Sequence, residues 1–312
     1  MIFSTQLYFI SLRDIPATLA LDIDTAFVFT NHGTHYEKLG FGTKQGNIFE
    51  LSIQYKNEQT LDYIIDLFCA AYTVVSAYNY FNYFDFLPTL NNPIPCASFQ
   101  GNDEAYLACL LVQKCYKNQS YKNAICKFHV AHETFSLHPM ELHPDNEPIK
   151  RDMVLTEYIR IANVIITCYS IIEELGLQII INKLSDGTLE SSVIQNGNAW
   201  NPTVLKRLRE TLLENGINPN MKIVWISRNE LLRPFKHKVV DNNNPCTWNN
   251  NTNIKDFNIT ITDAILELSH MRSRLASHRI EERVLKLAVY DAENAFHLAR
   301  ILLLNFFQIE LS

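Results

Sequence analysis

Several short motifs that mark cofactor and metal sites are missing from this sequence. The seven cysteines form no CxxC pair and their number is odd, which favours reduced, mostly buried thiols over a disulfide framework. No GxxxxGK[ST] or GxGxxG pattern includes Gly40 and Gly42, so this glycine pair is not a phosphate loop. His129 and His132 precede Glu133, but the HExxH order is absent and we interpret them as structural or surface residues. We therefore expect no metal site and no cofactor.

Signals for secretion and membrane insertion are also scarce. The opening MIFSTQLYFISLRD has no basic segment before its apolar residues, so we predict no secretory signal. No apolar run reaches the roughly 18 residues of a membrane span. The nearest candidate, Ile161–Ile172, is short, contains Asn163 and is flanked by Arg160 and Glu173. These observations predict a cytoplasmic protein that makes no use of a membrane.

The chain has no overall excess of basic residues. Its net charge is -6 and its pI is about 5.9, which gives no global indication of nucleic-acid binding. Residues 1–150 hold 9 Lys+Arg against 15 Asp+Glu, whereas residues 151–312 hold 18 of each. Within the second half, residues 203–238 carry eight bases against three acids. We expect any surface for a phosphate backbone in that half, and a solvated basic helix face is the alternative.

Apolar and aromatic side chains are plentiful. Hydrophobic residues make up 47% of the chain, with 18 Phe and 14 Tyr, and predict a folded protein with a substantial core. Strand-like stretches at Thr18–Phe29 and Asn47–Tyr55 predict a small sheet, with a glycine-containing loop between them. Helical patterns follow at Leu61–Phe81 and Asp103–Leu137. The proline-rich segment His138–Pro148 predicts a domain boundary, so residues 1–148 are expected to form an α+β domain.

Helical patterns dominate residues 149–312. Apolar residues in steps of three and four predict a helix over Asp152–Leu177 with a wide apolar surface, buried against its own domain and a partner subunit. A second helix is predicted over Pro202–Asn215, before the Asn215-Gly216 turn signal. A third starts at Thr262 or Asp263 as N-cap. The last, Glu281–Phe307, carries an alanine stripe suited to close helix packing. The predicted fold class is mainly α, with an N-terminal α+β domain followed by an all-α bundle.

The segment MRSRLASHRI (Met271–Ile280) carries the strongest functional pattern. Arg272 and His278 are separated by five residues and lie between the last two predicted helices. This arrangement resembles the HEPN family, whose hallmark is Arg, four to six residues, then His near a helix end. The predicted helix ending in IIEELGLQI (Ile171–Ile179) is similar to the first long HEPN helix. The resemblance covers about residues 150–312 and implies an all-α HEPN-like helical bundle there.

The resemblance implies a metal-independent endoribonuclease that leaves 2′,3′-cyclic phosphate ends. His278 would take the 2′-OH proton, because a histidine of ordinary pKa about 6.5 is largely neutral near pH 7. Arg272 would hold the developing phosphorane with its paired donors. The expected substrate-binding residues, which contribute charge or hydrogen bonds to RNA, are Ser273, Arg274, Arg279, Arg228 and Lys236.

The same resemblance implies how the protein would assemble and act. Family members usually build the cleft across a homodimer, so we expect a homodimer formed through the C-terminal domain. A toxin or antiviral-defence effector is implied, with an antitoxin or sensor protein as a possible partner and residues 1–148 in a sensing or regulatory role.

Two other interpretations stay open at the level of sequence. Ser273 follows Arg272 where the family often has Asn, which favours a catalytically inactive HEPN-like module that binds nucleic acid, nucleotide or a protein partner. An unrelated helical interaction protein is the second alternative. Converging Arg/His pairs in an open basic cleft would distinguish the enzyme from both.

Overall fold

Residues 1–11, 13–39, 42–76, 103–136, 155–181, 194–195, 199–228, 254–276 and 287–311 are described by the computed structural model. The chain divides into two compact units. The first comprises Met1–His129 with Ile309–Ser312, and the second comprises Val130–Gln308. The predicted boundary segment, residues 138–148, lies outside the described residues.

A four-stranded antiparallel sheet forms one part of the first unit. Its strands, in the spatial order β1-β4-β3-β2, are β1 (Ile2–Ser11), β2 (Thr18–Ala20), β3 (Ala26–Leu39) and β4 (Gly42–Gln54). Phe27, Phe29, Leu51 and Ile53 are buried because alternate residues of neighbouring strands face the core. The predicted small sheet is thus confirmed. The segment predicted as a glycine-containing loop instead continues both strands of the β3–β4 hairpin, with Gly33 at φ +100° beside a register shift.

Three described helices follow the sheet in the chain, and the last of them continues from the first unit into the second at Val130. They are α1 (Glu58–Ser76), α2 (Glu104–Cys115) and α3 (Gln119–Ser136). α1 is exposed at several positions of its first turns and buried throughout from Leu67 to Ser76, as a sequence that is apolar on most sides predicts. The single helix predicted over Asp103–Leu137 is wrong, because the chain turns at residues 116–118 and separates α2 from α3. Asp103, which precedes the first residue of α2, accepts hydrogen bonds from Ser11 and Arg13, and the Arg13 Nε–Asp103 Oδ2 distance is 2.6 Å.

Four helices form the core of the second unit. They are α4 (Leu155–Glu174), α5 (Pro202–Glu214), α6 (Ile261–Met271) and α7 (Val289–Phe306). α4 packs against α7, where Ala292, Ala295 and Ala299 are fully buried within one chain. The predicted alanine stripe therefore contacts other helices of the same chain. Helix predominates over strand among the described residues, so the mainly α class is confirmed.

The prediction that the second domain is all-α is wrong. Two antiparallel hairpins lie in the second unit, formed by β5 (Ile194–Gln195) with β6 (Ala199–Trp200) and by β7 (Lys222–Arg228) with β8 (Ile254–Thr260). Ile223 and Trp225 are buried whereas Val224 is exposed, which is the two-residue period of a strand. The Asn294 amide of α7 donates to the carbonyl of Ile226 and accepts from its N–H, so it satisfies both backbone groups of β7 there.

α4 is long and apolar enough, by length and composition alone, to cross a membrane. Half of its apolar window is buried inside the protein. A core helix of a soluble protein passes the same test, so the composition of α4 does not identify a membrane span.

Candidate active site

The candidate site lies at the C-terminal end of α6. The N-terminal end of this helix is held by side-chain hydrogen bonds. Thr260 is the N-cap, and its Oγ1 accepts a hydrogen bond from the N–H of Asp263 at 3.2 Å. The Asp263 carboxylate accepts from Thr260 Oγ1 at 2.7 Å and from Trp200 Nε1 at 2.9 Å. The predicted N-caps, Thr262 and Asp263, are therefore wrong by two or three residues. The helix begins earlier because the Thr260 hydroxyl accepts the hydrogen bond of the Asp263 N–H.

A π-helical turn over Arg272–Ala276 continues α6. Ser273 Oγ donates to the carbonyl of Ser269 at 2.8 Å and to that of His270 at 3.4 Å. A serine bonded to the carbonyl four residues earlier distorts an α-helix locally, which fits a change of helix type at this point. π-Helical turns occur often at functional sites. Arg272 is thus the first residue of a departure from regular helix.

The Arg272 guanidinium is held by two side chains of α4. Its Nη2 lies 3.3 Å from Glu173 Oε1, and both side chains are 41% exposed. Its central carbon lies 5.2 Å from the centre of the Tyr169 ring, within the range of a cation–π contact. The side chain is therefore 41% exposed to solvent although its guanidinium contacts both a carboxylate and an aromatic ring.

Tyr169 is buried, with 5% of its surface exposed. Burial raises the pKa of its hydroxyl, and the Glu173 charge adds to this, whereas a hydrogen bond with the Ser269 side chain and the Arg272 charge oppose it. Tyr169 is consequently uncharged near neutral pH, and its aromatic ring contacts the Arg272 guanidinium.

Only part of the predicted site is brought together by the described residues. Arg272, Ser273 and Arg274 lie in the π-helical turn that follows α6, and Arg228 is the last residue of β7. The side chains of Arg274 and Arg228 are not among those described. His278, Arg279 and Lys236 lie outside the described residues, so the Arg272–His278 geometry stays a prediction.

Two residues at the site were not predicted from the sequence. Tyr169 appeared there only as an apolar residue of a predicted helix, and Glu173 only as a charge at the end of an apolar run. The four-residue spacing between Tyr169 and Glu173 was the sequence feature from which a shared contact could have been predicted. Residues four apart lie on one face of a helix.

Other chemistries find little support among the described residues. No group of three His, Cys, Asp or Glu side chains there is arranged to hold a metal ion. His129 Nδ1 lies 2.8 Å from Thr73 Oγ1, and the His132 ring lies 5.4 Å from that of Phe296. The described cysteines carry free thiols, and burial raises the pKa of Cys115 to about 12, which makes a nucleophilic thiolate unfavourable.

The chain matches no family model, no curated protein and no solved structure.

Proposed function

We propose that this chain is a metal-independent endoribonuclease, with residues 149–312 as a HEPN-like helical domain that contains two added hairpins. The observation that carries the proposal is the placement of Arg272. Its half-exposed guanidinium stands at a helix end, held by Glu173 and Tyr169, six positions before His278. A fixed, accessible arginine followed closely by a histidine supplies the two groups that RNA cleavage by its own 2′-OH requires.

The reaction is a transesterification within RNA. His278 removes the 2′-OH proton, the 2′ oxygen attacks the adjacent phosphorus, and the bond to the 5′ oxygen of the next nucleotide breaks. The leaving oxygen takes up a proton, and the products carry a 2′,3′-cyclic phosphate and a 5′-hydroxyl. Arg272 stabilises the charge that develops on the phosphorane oxygens. DNA lacks the attacking hydroxyl and is not a substrate.

The remaining features of the proposal concern RNA binding and assembly. Ser273, Arg274, Arg279, Arg228 and Lys236 are proposed to contact the RNA near the cleaved bond. A homodimer formed through the second domain would bring two Arg/His pairs together. The proposed setting is a cytoplasmic toxin or antiviral-defence effector controlled by an antitoxin or sensor protein.

Incubation of the purified protein with total RNA tests this proposal. The wild-type protein is expected to fragment RNA, and His278→Ala is expected to lower the rate by about a hundredfold or more, since general base catalysis contributes on that scale. His297→Ala, at an exposed position of α7, is the matched control and should retain activity. Equal cleavage by wild type and His278→Ala would refute the assignment.

A non-catalytic RNA-binding module is the second candidate, and Ser273 favours it. Its hydroxyl donates to the carbonyls of Ser269 and His270, so its proton is used within its own helix, and only the hydroxyl oxygen is left to accept a hydrogen bond from RNA. Binding of RNA by a wild-type protein that produces no fragments would support this alternative.

A further inference from the structure

Two side chains of α4 face the π-helical turn at one place. Tyr169 and Glu173 are one helical turn apart and therefore project from the same side of α4. They contact a single group, the Arg272 guanidinium: its central carbon lies over the Tyr169 ring, 5.2 Å from the ring centre, and its Nη2 lies 3.3 Å from Glu173 Oε1. Two contacts at different atoms of the group restrict where the guanidinium can lie.

The geometry points to Glu173 and Tyr169 as positioning residues of the active site, which orient Arg272 toward the phosphate of RNA. This inference rests on the proposed function and adds residues to the same site. A guanidinium has five N–H donors, and the ion pair with Glu173 is made through Nη2. The inference is that the donors not used by Glu173 bind the phosphate, which a guanidinium can hold in bidentate fashion.

The contacts of Glu173 and Tyr169 with Arg272 are better suited to orienting its guanidinium than to stabilising the fold. The ion pair joins two side chains that are 41% exposed, and pairs of this kind add little to folding. An arginine side chain, however, loses considerable rotamer freedom when it is fixed on a ligand. Contacts that fix it before RNA arrives lower the entropic cost at the moment of reaction.

Glu173 also has an electrostatic effect on RNA. This effect should appear in KM, whereas the orientation of Arg272 should appear in kcat. Its carboxylate repels the phosphate in the ground state, so Glu173→Gln should leave KM unchanged or lower. Loss of orientation should reduce kcat by about tenfold. Glu210→Gln is the matched control, because Glu210 is a partly exposed carboxylate of α5 whose Oε1 lies 3.7 Å from Lys206 Nζ. It should alter neither constant.

The ring contact is tested with two substitutions. Tyr169→Phe keeps the aromatic face and should retain most activity, whereas Tyr169→Leu removes it and should reduce kcat by about tenfold. Tyr290→Leu, at another buried tyrosine of the second unit, controls for general loss of packing. If Tyr169→Leu fails to fold, Glu173→Gln decides the question, because its side chain is half exposed.

A double-mutant cycle with Arg272→Lys shows whether Glu173 acts through Arg272. The loss caused by Glu173→Gln should largely vanish in the Arg272→Lys background, because the bidentate group that it orients is absent. An equal loss in both backgrounds, no loss in either, or a raised kcat/KM in Glu173→Gln would overturn the inference. The last result would identify Glu173 as a competitor of RNA.

One readout does not depend on RNA cleavage and keeps the two proposals distinguishable. The Nε–H NMR signal of Arg272, identified by its loss in Arg272→Lys, should be displaced by the Tyr169 ring current. It should stay displaced in Tyr169→Phe and move in Tyr169→Leu and Glu173→Gln. If the signal has the same chemical shift in wild type, Tyr169→Leu and Glu173→Gln, the positioning geometry is refuted. If the signal shifts in these two variants but the wild-type protein cuts no RNA, only the enzymatic proposal is refuted.

Discussion

The two ends of helix α6 are held by different kinds of contact. At its N-terminal end, Thr260, Asp263 and Trp200 form a closed set of hydrogen bonds between 2.7 and 3.2 Å. At its C-terminal end, the helix changes to a π-helical turn, and Arg272 is held by one ion pair of 3.3 Å and one ring face. The 11 residues of α6 separate these ends by about 16 Å.

Under the proposed function, this difference assigns stability to one end of the helix and RNA cleavage to the other. The N-terminal contacts satisfy backbone and side-chain groups, and the donors and acceptors there are matched within the protein. The C-terminal contacts leave a positive charge half exposed, which contributes little to folding but suits the binding of an anion. Substitutions at the N-terminal end should consequently lower the stability and leave RNA cleavage unchanged. Substitutions at the C-terminal end should lower RNA cleavage and leave the stability nearly unchanged.

The largest expected effect is at the C-terminal end. Arg272→Lys keeps the charge but loses the bidentate geometry, so kcat/KM for RNA cleavage should fall by about a hundredfold. The free energy of unfolding should change by less than about 0.5 kcal/mol, because the side chain is half exposed. Urea unfolding and cleavage assays measure both. Arg209→Lys on the exposed surface of α5 is the control, and equal activity of Arg272→Lys and wild type would remove Arg272 from the mechanism.

The reverse pattern is expected at the N-terminal end. Thr260→Ala removes the cap of α6 and should lower the free energy of unfolding by about 1 kcal/mol. Thr260→Ser keeps the hydroxyl and should restore most of that loss. The kcat of the folded protein should be unchanged in both variants, because the cap lies far from Arg272. A Thr260→Ala protein that keeps its stability but loses its activity would contradict the separation of the two ends.

The smallest expected effect is on the pH dependence of stability. Because burial raises the pKa of Tyr169 above its ordinary value near 10, the folded state favours the neutral hydroxyl. The resulting stabilisation is complete below about pH 10 and is lost as the pH rises through the folded-state pKa. Tyr169→Phe has no such proton, so its unfolding midpoint in urea should fall less than that of wild type between about pH 8 and about pH 11. Parallel decreases in the two proteins would contradict a buried, neutral Tyr169.

Local sequence patterns located the helices of the second unit better than its strands. The predicted helix Glu281–Phe307 is nevertheless wrong at its start, because Ala288 is extended and is the N-cap of α7. α5 begins at Pro202, as predicted, and the turn after it has Gly216 at φ +74°, a conformation that suits glycine. β7 and β8 were missed because their pairing joins residues that are far apart in sequence, such as Lys222 with Thr260. No periodicity within seven residues specifies so distant a partner.

The candidate site shows the same limit of sequence reasoning. Arg272 could be selected because its spacing to His278 is a local pattern. The contacts of Arg272 with Tyr169 and Glu173 depend on how α4 packs against the end of α6, about a hundred residues later in the chain. The Ser269–Ser273 hydrogen bond was also not predicted, since a serine within a helix has several alternative partners.

The central claim is that arginine and histidine, without a metal ion, cleave RNA. The most direct test is a wild-type reaction with total RNA in excess EDTA, followed by identification of the fragment ends. The account predicts undiminished cleavage and 2′,3′-cyclic phosphate ends, because Arg272 rather than a cation stabilises the phosphorane. Cleavage that appears only after magnesium is added, or fragments with 5′-phosphate ends, would contradict it.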